Sequence, residues 1–280
     1  MLPRPCRTSG RRNESEGENL KLFIVGFVAV TSLLLGVAGA MADATIVVTP
    51  TDTQGWSTAD TRPGGQVNFV VDSTAPSGAG ALQLTTDLTT TSKAQFLHAA
   101  NTPLSTVNEL SYYTKQVTPP GPIADPSYQL ITLLNGTTGF TTLVFEPYQN
   151  PAQGPVLNNT WQPWDVASGL FWSTRTVTCQ NGVIVGTPGG PASYTLAQIT
   201  SICPNALVAG FGVNIGSNNP GYNVETDLFN FNGTVYDFEP YAVATSKSDC
   251  KDGGWSMLHR ADGSTFQNQG DCIQYTNTGK

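Results

Sequence analysis

The chain has 280 residues and a formal charge of −7, with only 12% charged residues against 29 glycines and 19 prolines. A thinly charged, acidic chain without Lys/Arg clusters argues against nucleic acid as a partner, because phosphate binding depends on such clusters. The length suits one generous all-β domain, or a domain with a small module, and is ample for a buried core.

Residues 1–44 read as a cleaved signal peptide. Arg4, Arg7, Arg11, Arg12 and Lys21 make a positive start, and an uncharged run rich in Leu, Val, Phe and Ile follows from residue 22. Ala38-Gly39-Ala40 and Ala42-Asp43-Ala44 both fit a small-x-small cleavage site. Cleavage after Ala44 is preferred, because residues 45–48 already read as a strand. If uncleaved, the apolar run is about the ~20 residues that span a bilayer, and this is the one expected route to a membrane partner. Glu14, Glu16 and Glu18 sit oddly in such a segment, as a misassigned start codon would leave them. Residues 45–280 carry 8 Lys/Arg and 16 Asp/Glu, and the expected location is extracellular or in a bacterial cell envelope.

Strand signals with turn punctuation then recur in chain order at 66–72, 81–86, 94–98, 110–117, 128–134, 141–147, 159–166, 169–173, 206–215, 222–232 and 234–239. Asn135-Gly136 and Asn232-Gly233 are turn signals, the second suited to a tight hairpin. A short helix is expected at 193–202. With no long amphipathic helix for crossovers, a parallel α/β layout is excluded, and no internal period supports a repeat fold. The expectation is all-β: a two-sheet antiparallel sandwich, jelly-roll or lectin-like, over residues 45–240, with a small disulfide-stapled C-terminal module at 241–280.

The cysteines fit that compartment. Beyond Cys6 there are four, Cys179, Cys203, Cys250 and Cys272. Nearest-neighbour pairing, Cys179–Cys203 and Cys250–Cys272, closes two loops of similar length, each worth roughly 3 kcal/mol. A four-thiolate metal site would want close CxxC spacing, which is absent, so disulfides are favoured.

Two stretches carry a resemblance. The pattern Gly80-Ala81-Leu82-Gln83-Leu84, Leu143-Val144-Phe145-Glu146-Pro147-Tyr148, Thr160-Trp161-Gln162, Gly210-Phe211-Gly212-Val213-Asn214-Ile215-Gly216-Ser217 and Tyr236-Asp237-Phe238-Glu239-Pro240 resembles exported jelly-roll or lectin-like sandwiches of actinobacteria and related soil bacteria. The tail, Cys250-Lys251-Asp252-Gly253-Gly254-Trp255 with Asn268-Gln269-Gly270-Asp271-Cys272, is similar to a C-terminal motif on surface proteins of those bacteria. The resemblance implies location and fold, and no reaction.

Catalysis finds little support. His98 and His259 are the only histidines, and neither belongs to a nucleophile motif such as GxSxG. A glycosidase needs two carboxylates about 5–9 Å apart. Glu225 and Asp227, two apart on a strand, share a sheet face at about 6.5–7 Å and are the one pair to name among Glu109, Glu146, Asp165, Asp237 and Glu239. No cofactor is expected; a structural Ca²⁺ is allowed but not indicated by any ligand spacing. The aromatic cluster Tyr148, Trp161, Trp164, Phe171 and Trp172 is the sharper feature, since sugar rings stack on flat aromatic faces. Tyr148, Trp161, Trp164 and Trp172 are the ligand-binding candidates, with Gln149, Asn150 and Gln162 beside them for hydroxyls. Alternation places Trp161 opposite Trp164, and Phe171 opposite Trp172, so some of these rings belong to the core. The resulting expectation is a non-catalytic binder of glycan or another surface ligand. A structural protein of the envelope and a secreted glycosidase or lyase are the alternatives.

Overall fold

The computed structural model describes residues 44–118 and 124–280; apart from Ala44, the export segment lies outside them. Strands β1 (Ala44–Val48), β2 (Trp56–Ser57), β3 (Gly65–Val71), β4 (Gly80–Thr86) and β5 (Ala94–Pro103) are followed by β6 (Leu110–Thr118), β7 (Ser127–Leu133) and β8 (Phe140–Phe145). Next come β9 (Gln162–Asp165), β10 (Trp172–Ser173), β11 (Val177–Thr178) and β12 (Ile184–Val185). After helix α1 (Leu196–Ile202), β13 (Leu207–Ile215), β14 (Asn223–Phe231) and β15 (Thr234–Phe238) complete the sandwich, and helix α2 (Gln269–Thr278) lies in the tail.

Among the described residues, the strands form a seven-stranded and a six-stranded sheet, with a small β11–β12 ribbon beside them. In the first, β14 is the spine. It pairs with β6 along one side; on the other its first half meets β4 and its second half β15. The second sheet runs β10-β8-β7-β13-β5-β2. The expected two-sheet sandwich is thus the observed fold, with one departure: β1 lies parallel to β15, not antiparallel. Its first residue, Ala44, donates N–H to Gly233 O at 3.2 Å, so the strand starts one residue earlier than the sequence suggested.

Local chemistry explains the connections. Asn232 and Gly233 both have positive φ, 53° and 86°, the signature of a two-residue type I′ hairpin between β14 and β15. Helix α1 opens on a reciprocal capping box, Gln198 N donating to Thr195 Oγ1 and Thr195 N to Gln198 Oε1.

The core fills the space between the sheets. Trp56 is only 3% exposed and is ringed by Phe96, Phe211, Phe229, Tyr236 and Phe238 at centroid distances of 5.1–5.6 Å. Such pairs add roughly 0.5–1.5 kcal/mol each beyond their area burial. The two fully buried tyrosines keep their polar ends paired: Tyr112 OH donates to Pro126 O and Tyr128 OH to Asn230 O.

Both disulfides form as nearest neighbours, Cys179–Cys203 and Cys250–Cys272. The tail has its own apolar cluster: Ala244, Cys250, Phe266 and Cys272 are buried, with Trp255, Leu258, Ile273 and Tyr275 against them. Helix α2 is absent from the sequence reading. Asn268 caps it by accepting from Asp271 N, and Gly279 ends it at φ 71°.

Candidate functional site

Alternation along the six-stranded sheet sorts its residues into two faces. Phe211, Val213 and Ile215 of β13 point into the core, which leaves Gly210, Gly212, Asn214 and, just beyond, Gly216 on the outer face. On β7 the outward set is Ser127, Gln129 and Ile131; on β8 it is Phe140, Thr142 and Val144. Register places Gly212 beside Gln129, Gln129 beside Val144, and Val144 beside Trp172.

A solvent-open groove of about 660 Å³ runs over this face. Its floor holds Gln95, Ser127, Gln129, Ile131, Val144 and Asn214, and Trp172, Phe140, Thr174 and Arg175 stand on the β10 side. Asp60, Arg62, Lys93 and the 216–219 turn border the opposite side. Gly212 has a structural reason: a Cβ there would sit 2.1 Å from Phe96 O and 2.8 Å from Leu97 Cδ2, so β5 can approach only a glycine. Leu97 and Ile131 lie over the two buried glycines of β13, so the floor is made by side chains of the neighbouring strands together with Asn214.

Several of those side chains are held in place. Asn214 Nδ2 donates to Gln95 Oε1 at 3.1 Å, and Ser127 Oγ to Asn214 O at 3.1 Å. Half-buried Trp172 donates Nε1–H to Glu146 Oε2 at 3.0 Å, and Gln149 Nε2 donates to the same oxygen at 2.6 Å. Phe140, 44% exposed, carries the Arg175 guanidinium 4.8 Å from its centroid. Arg62 Nη1 donates to Ser217 Oγ at 2.9 Å. Lys93 has a lowered pKa because burial disfavours its charge and Arg62 repels it, an effect that Asp60 opposes.

The four aromatic candidates separate. Trp172 lines the groove. Trp164 is 1% exposed, its Nε1 donating to Thr114 Oγ1 inside the sandwich; as a ligand contact it is corrected to a core residue, because β9 turns it inward against β6. Trp161 belongs to the outer face of the other sheet. Its Nε1 donates to Asp72 Oδ2 at 3.0 Å and its ring covers Lys115 Nζ at 5.2 Å. Tyr148 is exposed and borders a separate hollow of about 440 Å³ with Gln149, Pro151 and residues 189–192. The expected hydroxyl binders act otherwise too. Gln149 accepts from Ala192 N, Asn150 fastens Leu170, and Gln162 holds Leu157 and Pro155.

The carboxylate pair also separates. Glu225 and Asp227 share the outer face of the seven-stranded sheet but serve different neighbours. Lys115 Nζ bridges Glu225 (2.7 Å) and Asp72. Burial works to raise Asp72, yet hydrogen bonds from Lys115, Thr74 and Trp161 hold it well below the usual carboxylate range. For Glu225 burial wins and the pKa is raised. Asp227, fully buried, joins Asp237 and Glu239: Phe238 N donates to Asp227 Oδ1, Ser77 Oγ to Asp237 Oδ2, and Ala79 N to Glu239. All three pKa values are raised, chiefly by burial; the Asp237 charge adds to the rise at Asp227 and Glu239. Among the described residues no group of His, Cys, Asp and Glu is set to hold a metal ion, and no helix is long and apolar enough to cross a membrane.

No family model matches the chain, and no curated protein matches it in sequence at a significant level. Solved structures do. A family 11 carbohydrate-binding module from Clostridium thermocellum, in complex with a β-1,3-1,4-mixed-linked tetrasaccharide, is similar at 11% identity and TM-score 0.38, over 66% of this chain and 91% of its own. The family 11 module of a cellulosomal cellulase of Clostridium thermocellum is similar at 12% identity and TM-score 0.36, over 63% and 86%. The xyloglucanase domain of NopAA, a type three effector from Sinorhizobium fredii, in complex with cellobiose, gives 17% and 0.27, over 64% and 98%. Likeness at this level leaves the ligand to be read from the groove itself.

Proposed function

We propose that the protein is an exported, non-catalytic glycan-binding sandwich, and that it holds a carbohydrate chain along the groove of the six-stranded sheet. The groove's composition carries the reading. Trp172 and Phe140 offer partly exposed rings for the apolar faces of sugars, while Gln129 offers a partly exposed amide for their hydroxyls above the buried, mutually bonded Gln95 and Asn214. A volume of about 660 Å³ is in the range of ligand-binding clefts. Hydrogen bonds at Trp172 and Asn214 fix these groups before a ligand arrives, which lowers the ordering cost of binding. Two disulfides suit an oxidising compartment outside the cell, as the export segment implies.

The test is a glycan array on the purified protein, followed by calorimetry of Trp172→Ala and Gln129→Ala on the best ligand. Each variant should weaken binding by about tenfold or more, with Trp161→Ala as a control on the other sheet. Binding that survives both groove substitutions, or that depends on Trp161 alone, overturns the groove as the site.

A further inference from the structure

The geometry points to a more specific ligand: a polysaccharide carrying uronate carboxylates, held between cations on the two sides of the groove. This deepens the glycan-binding reading and rests on it. Between residues 44 and 240 the chain has just four Lys and Arg residues, Arg62, Lys93, Lys115 and Arg175. Lys115 is nearly buried and spent on Asp72 and Glu225. The other three all line the groove, and among the described residues none of them is in an ion pair with a carboxylate within 4.0 Å.

The acids are distributed in the opposite way. Of the twelve Asp and Glu residues in the same stretch, two, Asp60 and Glu146, border the groove. Glu146 is occupied by Trp172 and Gln149. The groove therefore carries three positive and two negative groups, while the rest of the sandwich carries one and ten. A net-positive cleft in an otherwise acidic molecule focuses field lines and draws anions to that one face.

Placement favours carboxylates over a denser charge. Arg62 and Lys93 sit together on the β5 side, joined by an isolated bridge, and Arg175 stands on the β10 side. Four interstrand spacings separate β5 from β10, about 19 Å, enough for several sugar rings with charges at intervals. The guanidinium of Arg62 is steadied by Ser217 and that of Arg175 by Phe140, and a planar fork of this kind matches a carboxylate through two hydrogen bonds. Partly buried Lys93 gains from any anion that offsets its desolvation.

The experiment measures affinity for polygalacturonate, alginate, a neutral mixed-linkage glucan and heparin, at low and high salt. The proteins are wild type, Trp172→Ala and the double variant Arg62→Gln/Arg175→Gln. The uronate polymers should bind at least about tenfold tighter than the glucan at low salt. That advantage should shrink at high salt and be lost in the double variant. The salt dependence of wild type decides the matter if the double variant folds poorly. Equal affinity for glucan and uronates, abolished by Trp172→Ala, overturns the charge preference and leaves the glycan site standing. Tighter binding of heparin overturns the carboxylate class. No binding to any polymer overturns both readings.

Discussion

Trp172 and Glu146 are joined by a 3.0 Å hydrogen bond from the indole Nε1 to Oε2, so a side chain from beyond β8 sets the angle of the ring on β10. Glu146 acts here as a positioning residue. Glu146→Ala should weaken glycan binding by about tenfold, since hydrogen bonds to charged groups contribute roughly 1.5–3 kcal/mol. Glu146→Gln, which keeps an acceptor oxygen, should stay near wild type. Calorimetry of the pair on one ligand checks this; equal losses in both would mean that the carboxylate itself meets the sugar.

Stability should be greatest in mild acid. Asp125, buried with Thr114 donating to it, is pushed up to about 7 by burial, and Asp227, Asp237 and Glu239 are raised as well. Between the unfolded carboxylate range near 4 and these raised values, the folded state holds more protons than the unfolded one. Stability is therefore complete below that range and falls as pH rises toward 7 to 8, with a ceiling of roughly 4 kcal/mol from Asp125 alone. Asp72 works in the opposite sense, its contribution being lost as pH falls below about 4. Urea midpoints measured from pH 4 to pH 8 should decline, and Asp227→Asn should flatten the decline. A flat wild-type profile would show that these carboxyls are not raised.

The tail depends on its disulfide. Four buried residues make a very small core, and Cys250–Cys272 should contribute roughly 3 kcal/mol to it. In the double variant Cys250→Ser/Cys272→Ser, α2 should lose hydrogen-exchange protection while β13 and β14 keep theirs. Simultaneous loss in both regions would mean that tail and sandwich unfold together.

Trp56 is the most connected ring of the core. Trp56→Ala should cost about 3–5 kcal/mol. Its Nε1 has no hydrogen-bond partner, so Trp56→Phe sacrifices packing volume but no polar contact and should cost clearly less. Chemical denaturation of the two variants compares them directly.

The strands were legible because alternation and turn residues speak locally: Asn232-Gly233 names its hairpin, and 206–215 reads as a strand without any partner known. The parallel pairing of β1 with β15 was not, since it joins segments almost two hundred residues apart and leaves no local mark. Helix α2 was missed for a different reason. Its cap at Asn268 is readable, but its body lacks an apolar stripe, and packing through Cys272 replaces one. At the site, proximity in sequence misled. Trp161 and Trp164 lie close along the chain to Trp172, yet β9 and β10 belong to different sheets. Arg62, Gln95, Gln129 and Asn214 come from four distant segments and meet only when strand order is known. The spacing Gly210, Gly212, Asn214, Gly216 was the available signal: a strand with one apolar face and almost nothing on the other.

That bare strand also limits how the protein can be altered. Gly210 and Gly212 are buried beneath Ile131 and Leu97, so β13 itself gives the groove little beyond the side chain of Asn214. Gly212 cannot be exchanged to add another group, because Phe96 O already occupies the space a side chain would need. Preference for one sugar over another must then be written on the other strands and the borders, on Gln129, Thr142, Trp172, Arg175 and the Arg62–Lys93 side. A library randomised at those positions would keep a folded scaffold while its recognition drifts; one randomised along β13 would be selecting first for proteins that still fold.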